Sequence, residues 1–107
     1  MKIKFTNGVV KECTAPTEQK LFKNVEGETV SAGWVLIFRI MGNITSSELD
    51  SILASDLSEL NFLSETEEGE EKALFSLTGY SKVTSSTIRH AEDTASTYAE
   101  IQMSKGV

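Results

Sequence analysis

The stretch GWVLIFRIMG, residues 33–42, contains the longest apolar run in the chain, and it decides the fold class. Side chains along a strand alternate between two faces. One face of this stretch is wholly apolar and carries Trp34, Leu36, Phe38 and Ile40; the other carries Val35, Ile37 and Met41 and is interrupted by Arg39. A strand that is apolar on both faces is typical of the centre of a sheet that is covered on both sides.

Shorter stretches on either side of residues 33–42 predict further strands, because apolar and polar residues alternate between turn residues. Pro16 is expected to end the second strand, since it cannot donate to a sheet ladder. Gly69 and charged residues join the next two runs as a hairpin, and Gly79 marks a bend within a strand that continues toward Ile88. The predicted strands are residues 2–5, 9–15, 21–25, 33–42, 60–64, 72–88 and 96–105.

The opening hairpin has the clearest local signal in the chain. Asn7-Gly8 lies between two short apolar runs, and both residue types tolerate the positive φ of a type I′ turn. We therefore expect a type I′ turn at Asn7-Gly8, with Ile3 and Phe5 pointing into the core. The final strand is expected to point its apolar side chains inward in the same way, namely Ala99, Ile101 and Met103, with Tyr98, Glu100 and Gln102 outward.

The stretch ITSSELDSILAS, residues 44–55, predicts a short helix of about ten residues. Thr45 and Glu48 have the spacing of a capping box, in which each side chain bonds the backbone N–H of the other. The helical spacing of Leu49, Ile52 and Leu53 forms one apolar stripe, and Ile44 could pack beside it as a staple. Such a short helix is stable only when packed, so we expect it to cover one face of the strand at residues 33–42.

Together these patterns predict a single α+β domain over residues 1–107. Its expected architecture is a mostly antiparallel sheet or flattened barrel of about seven strands, with one short helix packed on one face. A chain of this length can bury a compact core without disulfides or metals.

The charge of the chain is concentrated in one place. The formal net charge is −6, and five glutamates lie within the seven residues 65–71. The rest of the chain is nearly neutral, which argues against binding to nucleic acid or to an anionic membrane surface. The acidic tip is predicted to be a solvated hairpin end that could contact a partner, and weak cation binding is the alternative. Its glutamates are Glu65, Glu67, Glu68, Glu70 and Glu71.

The sequence offers few groups for catalysis or for a cofactor. Cys13 is the only cysteine and His90 the only histidine, so neither a disulfide nor a Cys/His zinc site can form within the chain. Ser86, His90 and Asp93 are close in sequence but are expected to lie in one polar surface loop without a nucleophile elbow. We therefore expect no enzyme activity, no metal and no cofactor. Cys13 is predicted to pack as a small apolar group.

Two further surfaces are candidates for binding. If the helix covers only one side of the central strand, the second face at Val35, Ile37 and Met41 needs a cover, either from the rest of the barrel or from another protein chain. Alternatively, Trp34 and Tyr80 could flank a pocket for a small ligand between helix and sheet. Core packing is the simpler interpretation of that aromatic pair.

The order of these elements resembles that of small proteins encoded in the tail or baseplate region of phages and prophages of Gram-positive bacteria. The residues that carry the resemblance are FTNGVV (5–10), SSELDSIL (46–53), LTGYSKV (77–83) and YAEIQMSK (98–105). The resemblance implies a non-enzymatic structural or assembly protein, present in many copies, whose partners are other structural proteins or further copies of itself. It implies synthesis in the bacterial cytoplasm, possible presence in the virion, and no defined small molecule.

Overall fold

The computed structural model describes residues 1–65, 69, 71–80, 82–90 and 96–106. These residues form eight strands and one helix. The strands are β1 (Lys2–Lys4), β2 (Val10–Glu12), β3 (Thr17–Val25), β4 (Glu28–Ile40), β5 (Glu59–Glu65), β6 (Glu71–Thr78), β7 (Lys82–His90) and β8 (Thr97–Lys105), and helix α1 (Ser46–Leu53) lies between β4 and β5.

The strands form two four-stranded antiparallel sheets. The first sheet has the order β2-β1-β5-β6 and the second the order β3-β4-β8-β7. The predicted α+β class with mostly antiparallel sheet is confirmed, but there are eight strands rather than seven. The difference arises at Gly79, where the chain leaves the first sheet and begins β7 in the second, instead of continuing one strand. Neither sheet closes into a barrel within the residues that the structure describes.

The two sheets pack against each other through one apolar core. The rings of Phe38 from β4 and Phe62 from β5 meet edge to face, with centroids 6.0 Å apart. As predicted, the apolar inner face of β4 is buried, and so are the inward residues of β1 and β8. The buried side chains of these strands are Ile3, Leu36, Phe38, Ile40, Ala99, Ile101 and Met103.

Helix α1 has the predicted capping box. The Thr45 hydroxyl accepts from the backbone N–H of Glu48, and the Glu48 side chain accepts from the backbone N–H of Thr45. The helix packs on the inner side of β4, where Ile52 and Leu53 lie beside Phe38 and leave a gap of only about 10 Å³. The helix has eight residues instead of about ten, and it holds its place through this packing.

The opening hairpin exists, but its turn is not type I′. The N–H of Gly8 donates to the Phe5 carbonyl, and the N–H of Phe5 donates to the Val9 carbonyl, each at 2.9 Å, which makes a three-residue loop. Only Gly8 has a positive φ, of 90°, whereas a type I′ turn needs positive φ at both central residues. The Asn7 side chain instead accepts from the N–H of Val9 at 3.1 Å.

Residues 12–14 form a corner that hydrogen-bonds to both sheets. The N–H of Cys13 donates to the Met1 carbonyl beside the first sheet, at 3.0 Å. The N–H of Thr14 donates to the Arg39 carbonyl in the second sheet, at 2.9 Å. Cys13 itself forms a bridge with Ile40. The predicted strand at residues 9–15 therefore ends at Glu12, because the chain crosses to the other sheet before Pro16.

Strands β3 and β4 extend beyond the rest of the second sheet. Both begin earlier than the predicted residues 21 and 33. The pairing of β4 with β8 covers only the part of β4 from Trp34 to Ile40. Residues 21–25 of β3 and 28–33 of β4 pair only with each other, and we call this two-stranded segment the ribbon. The molecule measures 53 × 29 × 26 Å, and β4 alone spans about 40 Å.

Candidate interaction surface

The outer face of β4 is open in the part of the chain that the structure describes. Helix α1 and the first sheet both lie on the inner side, against Phe38. On the outer side Val35 and Met41 are half-buried, and Ile37 is 37% exposed. The expectation that β4 is covered on both sides is therefore wrong for the described residues. The prediction that Val35, Ile37 and Met41 contact a partner stays a prediction.

The polar end of this outer face is occupied by its own neighbours. Arg39 lies 3.5 Å from the Glu100 carboxylate and 4.9 Å from the centroid of the Tyr98 ring. These contacts hold the guanidinium over β8. The apolar end, at Val35 and Ile37, has no such polar cover among the described contacts, and it leads toward the ribbon.

The apolar outer face of β4 continues along the ribbon. Residues directly opposite each other in a pair of strands share a face. The register places Leu21 opposite Gly33, Lys23 opposite Val30 and Val25 opposite Glu28, all on the outer side. Leu21 is 37% exposed and Val25 is 45% exposed. We call the outer-face residues Leu21, Val25, Val30, Val35 and Ile37 the apolar stripe; on the ribbon, Lys23 and Glu28 lie on the same face and interrupt it.

The inner side of the ribbon also exposes apolar surface. Phe22 is 61% exposed, and the half-buried Trp34 lies on the same side. The Lys20 ammonium lies 5.7 Å from the ring centroid of Phe22 and 5.9 Å from that of Trp34, so it sits between two aromatic faces. Such cation–π contacts are weak at exposed sites, about 0.5–1 kcal/mol.

The edge strands of the two described sheets differ in how well they are protected against pairing with another chain. Short strands, bulges, prolines and lysines are the usual protection, and β3 has Lys20 and Lys23 but is neither short nor bulged. Edge strand β2 has three residues. Edge strands β6 and β7 carry an extra, bulged residue each, at Leu74 and Thr84. Edge strand β3 has nine residues and no bulge of its own, because the extra residue in its pairing with β4 is Ala32 of β4.

Sequence reasoning missed the first half of β3 for a physical reason. All nine of its residues, TEQKLFKNV, are exposed, so the strand shows no alternation of apolar and polar residues. The only signals were the turn residues on either side, Pro16 before the strand and Glu26-Gly27 after it. In the structure Gly27 has φ 86° and its N–H donates to the Asn24 side chain.

The acidic tip is largely outside the described residues. Glu65 and Glu71 pair as the last backbone positions of the β5–β6 hairpin, as predicted for a hairpin end. The side chains of these two residues, and all of Glu67, Glu68 and Glu70, are not described. Their role in partner contact stays a prediction. Within the described ranges no group of three or more His, Cys, Asp or Glu residues could hold a metal ion.

The sole cysteine and the sole histidine lie in different environments. Cys13 is buried, and burial raises the pKa of its thiol to about 11, so the thiol stays protonated at neutral pH. His90 is exposed and is the last residue of β7, paired with Thr97, so the expectation that it lies in a loop is wrong. Ser86 is exposed on the same strand, while Asp93 lies outside the described residues. A nucleophilic cysteine needs a lowered pKa, which is the opposite of what Cys13 has.

Tyr80 serves the core rather than a pocket beside Trp34. Its side chain is fully buried, and its hydroxyl donates to the Glu18 carboxylate at 2.6 Å. Burial, followed by this hydrogen bond, raises the pKa of Tyr80. A groove of about 470 Å³ lies elsewhere, between the first hairpin and α1, where Lys11 pairs with Glu48. Its lining residues are Val9, Val10, Lys11, Ser47, Glu48, Ser51 and Ile52.

In the described segments no helix is long and apolar enough to cross a membrane. Comparison of the chain with protein-family models, curated proteins and solved structures finds no match.

Proposed function

We propose that this protein is a non-enzymatic structural or assembly protein that acts through protein–protein contacts. The observation that carries the proposal is the apolar stripe beside a long edge strand without a bulge. Exposed apolar surface rimmed by polar residues is typical of an interaction site. An edge strand with free backbone groups can bind another strand. In this protein the two features lie on the same two strands, β3 and β4.

We further propose that the particle it belongs to is a phage or prophage tail or baseplate. The support is the order of elements noted above: opening hairpin, long apolar strand, helix, hairpin with a charged tip, and final alternating strand. The acidic tip, predicted from Glu65, Glu67, Glu68, Glu70 and Glu71, would select or orient a partner through charge. The virion is then the expected destination after synthesis in the bacterial cytoplasm.

The proposal is tested by mass spectrometry of particles released after prophage induction in the source strain. We expect the protein in the particle fraction. Ile37→Lys places a charge in the apolar stripe and should reduce incorporation at least tenfold, whereas the matched control Thr87→Lys, on the exposed β7, should leave it unchanged. Absence of the wild-type protein from particles and from any assembly complex would contradict the proposal. A specific small ligand that raises the melting temperature would instead favour the alternative, a ligand-binding module.

A further inference from the structure

We infer that β3 pairs with β3 of a second copy of this chain, antiparallel and about a two-fold axis at Leu21. The second sheet of one copy and the second sheet of the other, with four strands each, then form one continuous eight-stranded sheet. This inference rests on the proposed function, because it names the partner that the open edge accepts. Its support comes from the edge, the register and the ribbon.

The first support is the free edge of β3, which is the edge of the described sheets best suited to pair with a second copy. The other three edge strands of the described sheets are short or bulged, whereas β3 offers nine regular residues. The Ala32 bulge lies on the β4 side of the pair, so β3 keeps a regular alternation along its free edge. A strand of this kind is a template for β-strand addition.

The register favours a second copy over an unrelated strand. Leu21 is the midpoint of β3, so a two-fold axis there pairs all nine residues with those of the other copy. Lys20 then lies opposite Phe22 of the second copy, repeating the cation–π contact that Lys20 makes within one chain. Gln19 lies opposite Lys23 of the second copy. No like charges are directly opposite each other in this register.

Neighbouring registers that keep the two faces matched are less favourable. Moving the axis to Lys20 places Lys20 opposite itself. Moving the axis to Phe22 leaves only seven of the nine residues paired, because Thr17 and Glu18 then face the turn that follows Val25. Like charges directly opposite each other in an antiparallel pair are destabilising, whereas an apolar pair such as Leu21 with Leu21 is not. The charge of Lys20 and the length of β3 therefore favour the axis at Leu21.

The ribbon is the part of the molecule that this pairing would stabilise most. An isolated two-stranded hairpin is marginally stable in water, and three or more strands with an apolar face are needed for stability. Pairing of the two copies turns each two-stranded ribbon into part of a four-stranded sheet. It also places the apolar stripes of both copies side by side, and it packs Leu21 against its counterpart.

Charge variants at Gln19 test the register directly by sedimentation equilibrium. Gln19→Glu should strengthen the dimer and Gln19→Lys should weaken it, because residue 19 faces Lys23 of the other copy twice per dimer. At about 0.2–1 kcal/mol for each pair, each change should shift the dissociation constant roughly 2- to 30-fold. The double variant Gln19→Lys with Lys23→Glu should return it toward the wild-type value. Circular dichroism serves to show that each variant is folded.

A cysteine at the axis tests the geometry. Leu21→Cys should form an intermolecular disulfide on mild oxidation, because opposite Cβ atoms in an antiparallel pair lie about 4.5–5.5 Å apart, close to disulfide range. The matched control Val25→Cys should not, since the two copies of residue 25 would lie roughly 26 Å apart at opposite ends of the paired strands. The native Cys13 is buried and should not contribute.

A monomer at all concentrations overturns this inference, as does a dimer in which the Gln19 variants fail to follow the expected order or Leu21→Cys fails to cross-link. The proposed function fails separately, if the protein is absent from particles and complexes. A protein that enters particles but pairs β3 with a different chain would retain the proposed function and refute the second copy as partner.

Discussion

Gly33 lies where β4 leaves β8 and continues into the ribbon. Its φ is +113°, and a Cβ at this position would run into the backbone carbonyl oxygen of Lys105. Gly33→Ala combines backbone strain with a steric clash that no side-chain rotation can relieve. We expect it to lower the free energy of unfolding by about 2–4 kcal/mol, as measured by urea denaturation.

Gly27→Ala is the matched control for Gly33→Ala. Gly27 also has a positive φ, of +86°, but nothing lies near its absent Cβ. We expect a loss of only about 1 kcal/mol, from the left-handed conformation alone. Equal losses at the two glycines would show that the approach of Lys105 to Gly33 does not matter.

Cys13 should be unreactive in the folded protein. Because burial raises the folded-state pKa of Cys13 to about 11, above the ordinary value of 9.0, the associated stability is fully present below about pH 9 and is lost as the pH rises through 11. At pH 8 we expect a thiol reagent to modify Cys13 only when urea unfolds the chain. The introduced thiol of Val25→Cys, at a position that is 45% exposed, should react at once at pH 8 without urea. Fast modification of native wild-type protein would contradict this.

Some residue positions could be predicted from the sequence and others could not. The inward positions of β4 and β8 followed from alternation, because both strands lie over the core. The conformation of Gly33 did not, since it depends on Lys105, which is 72 positions away and meets it only through the β4–β8 pairing. The hairpin at Asn7-Gly8 was predicted correctly, but Asn7 does not take the positive φ of a type I′ turn, and its side chain accepts a hydrogen bond from the N–H of Val9.

At the scale of elements, α1 depends on its capping box. Thr45→Ala removes the acceptor for the N–H of Glu48 and should cost about 1 kcal/mol of stability. Thr45→Ser keeps the hydroxyl and should cost much less. The measurement is the urea midpoint at pH 7. Equal midpoints for the Ala and Ser variants would mean that the cap does not limit the stability of the helix.

The stability that the capping box contributes depends on pH through the carboxylate of Glu48. The hydrogen bond from Lys11 is the main cause of the lowered pKa of Glu48, and the backbone bond from Thr45 adds to it. Since the folded-state pKa lies below the usual value near 4.5, the contribution is present above that pH and is lost as the pH falls below it.

Helix α1 and β3 show why some elements are easier to predict than others. The helix has a capping motif and one apolar face, and both are visible locally as residue spacing. Strand β3 has neither, because every one of its side chains is exposed. Its formation depends on pairing with β4, so the candidate interaction surface was predicted only for the β4 side, at Val35, Ile37 and Met41. The open edge itself could not be seen from residue types.

At the scale of the whole molecule, stability should be unevenly distributed. Within β4, residues 36–40 lie in the core, whereas residues 28–31 belong to the ribbon and have only β3 beside them. We expect ribbon amides to exchange hydrogen at least a hundredfold faster than amides of the core segment in dilute solution. The protection of the ribbon amides against hydrogen exchange should rise with protein concentration, because two copies pair at higher concentration. Uniform protection along β4 at low concentration would contradict this.

The fold class of the whole molecule was predictable, but the division into two sheets was not. Alternation identifies strands and their inward residues, whereas the order of strands depends on where the chain crosses between sheets. The crossing at Gly79 is followed directly by Tyr80, whose side chain fills the core. Its hydroxyl donates a hydrogen bond to the carboxylate of Glu18 on β3, the strand that neighbours β4 on the side away from β8. Nothing in the spacing of LTGYSKV distinguishes this crossing from a bend within one strand.

The corner at residues 12–14 has a consequence for how the protein denatures. One short tripeptide is hydrogen-bonded to the Met1 carbonyl on one layer and to Arg39 and Met41 on the other. Neither sheet can unfold near this corner without breaking the backbone hydrogen bonds that residues 12–14 make to the other sheet. The body of the molecule should therefore lose its structure in a single cooperative transition, with calorimetric and van't Hoff enthalpies in agreement.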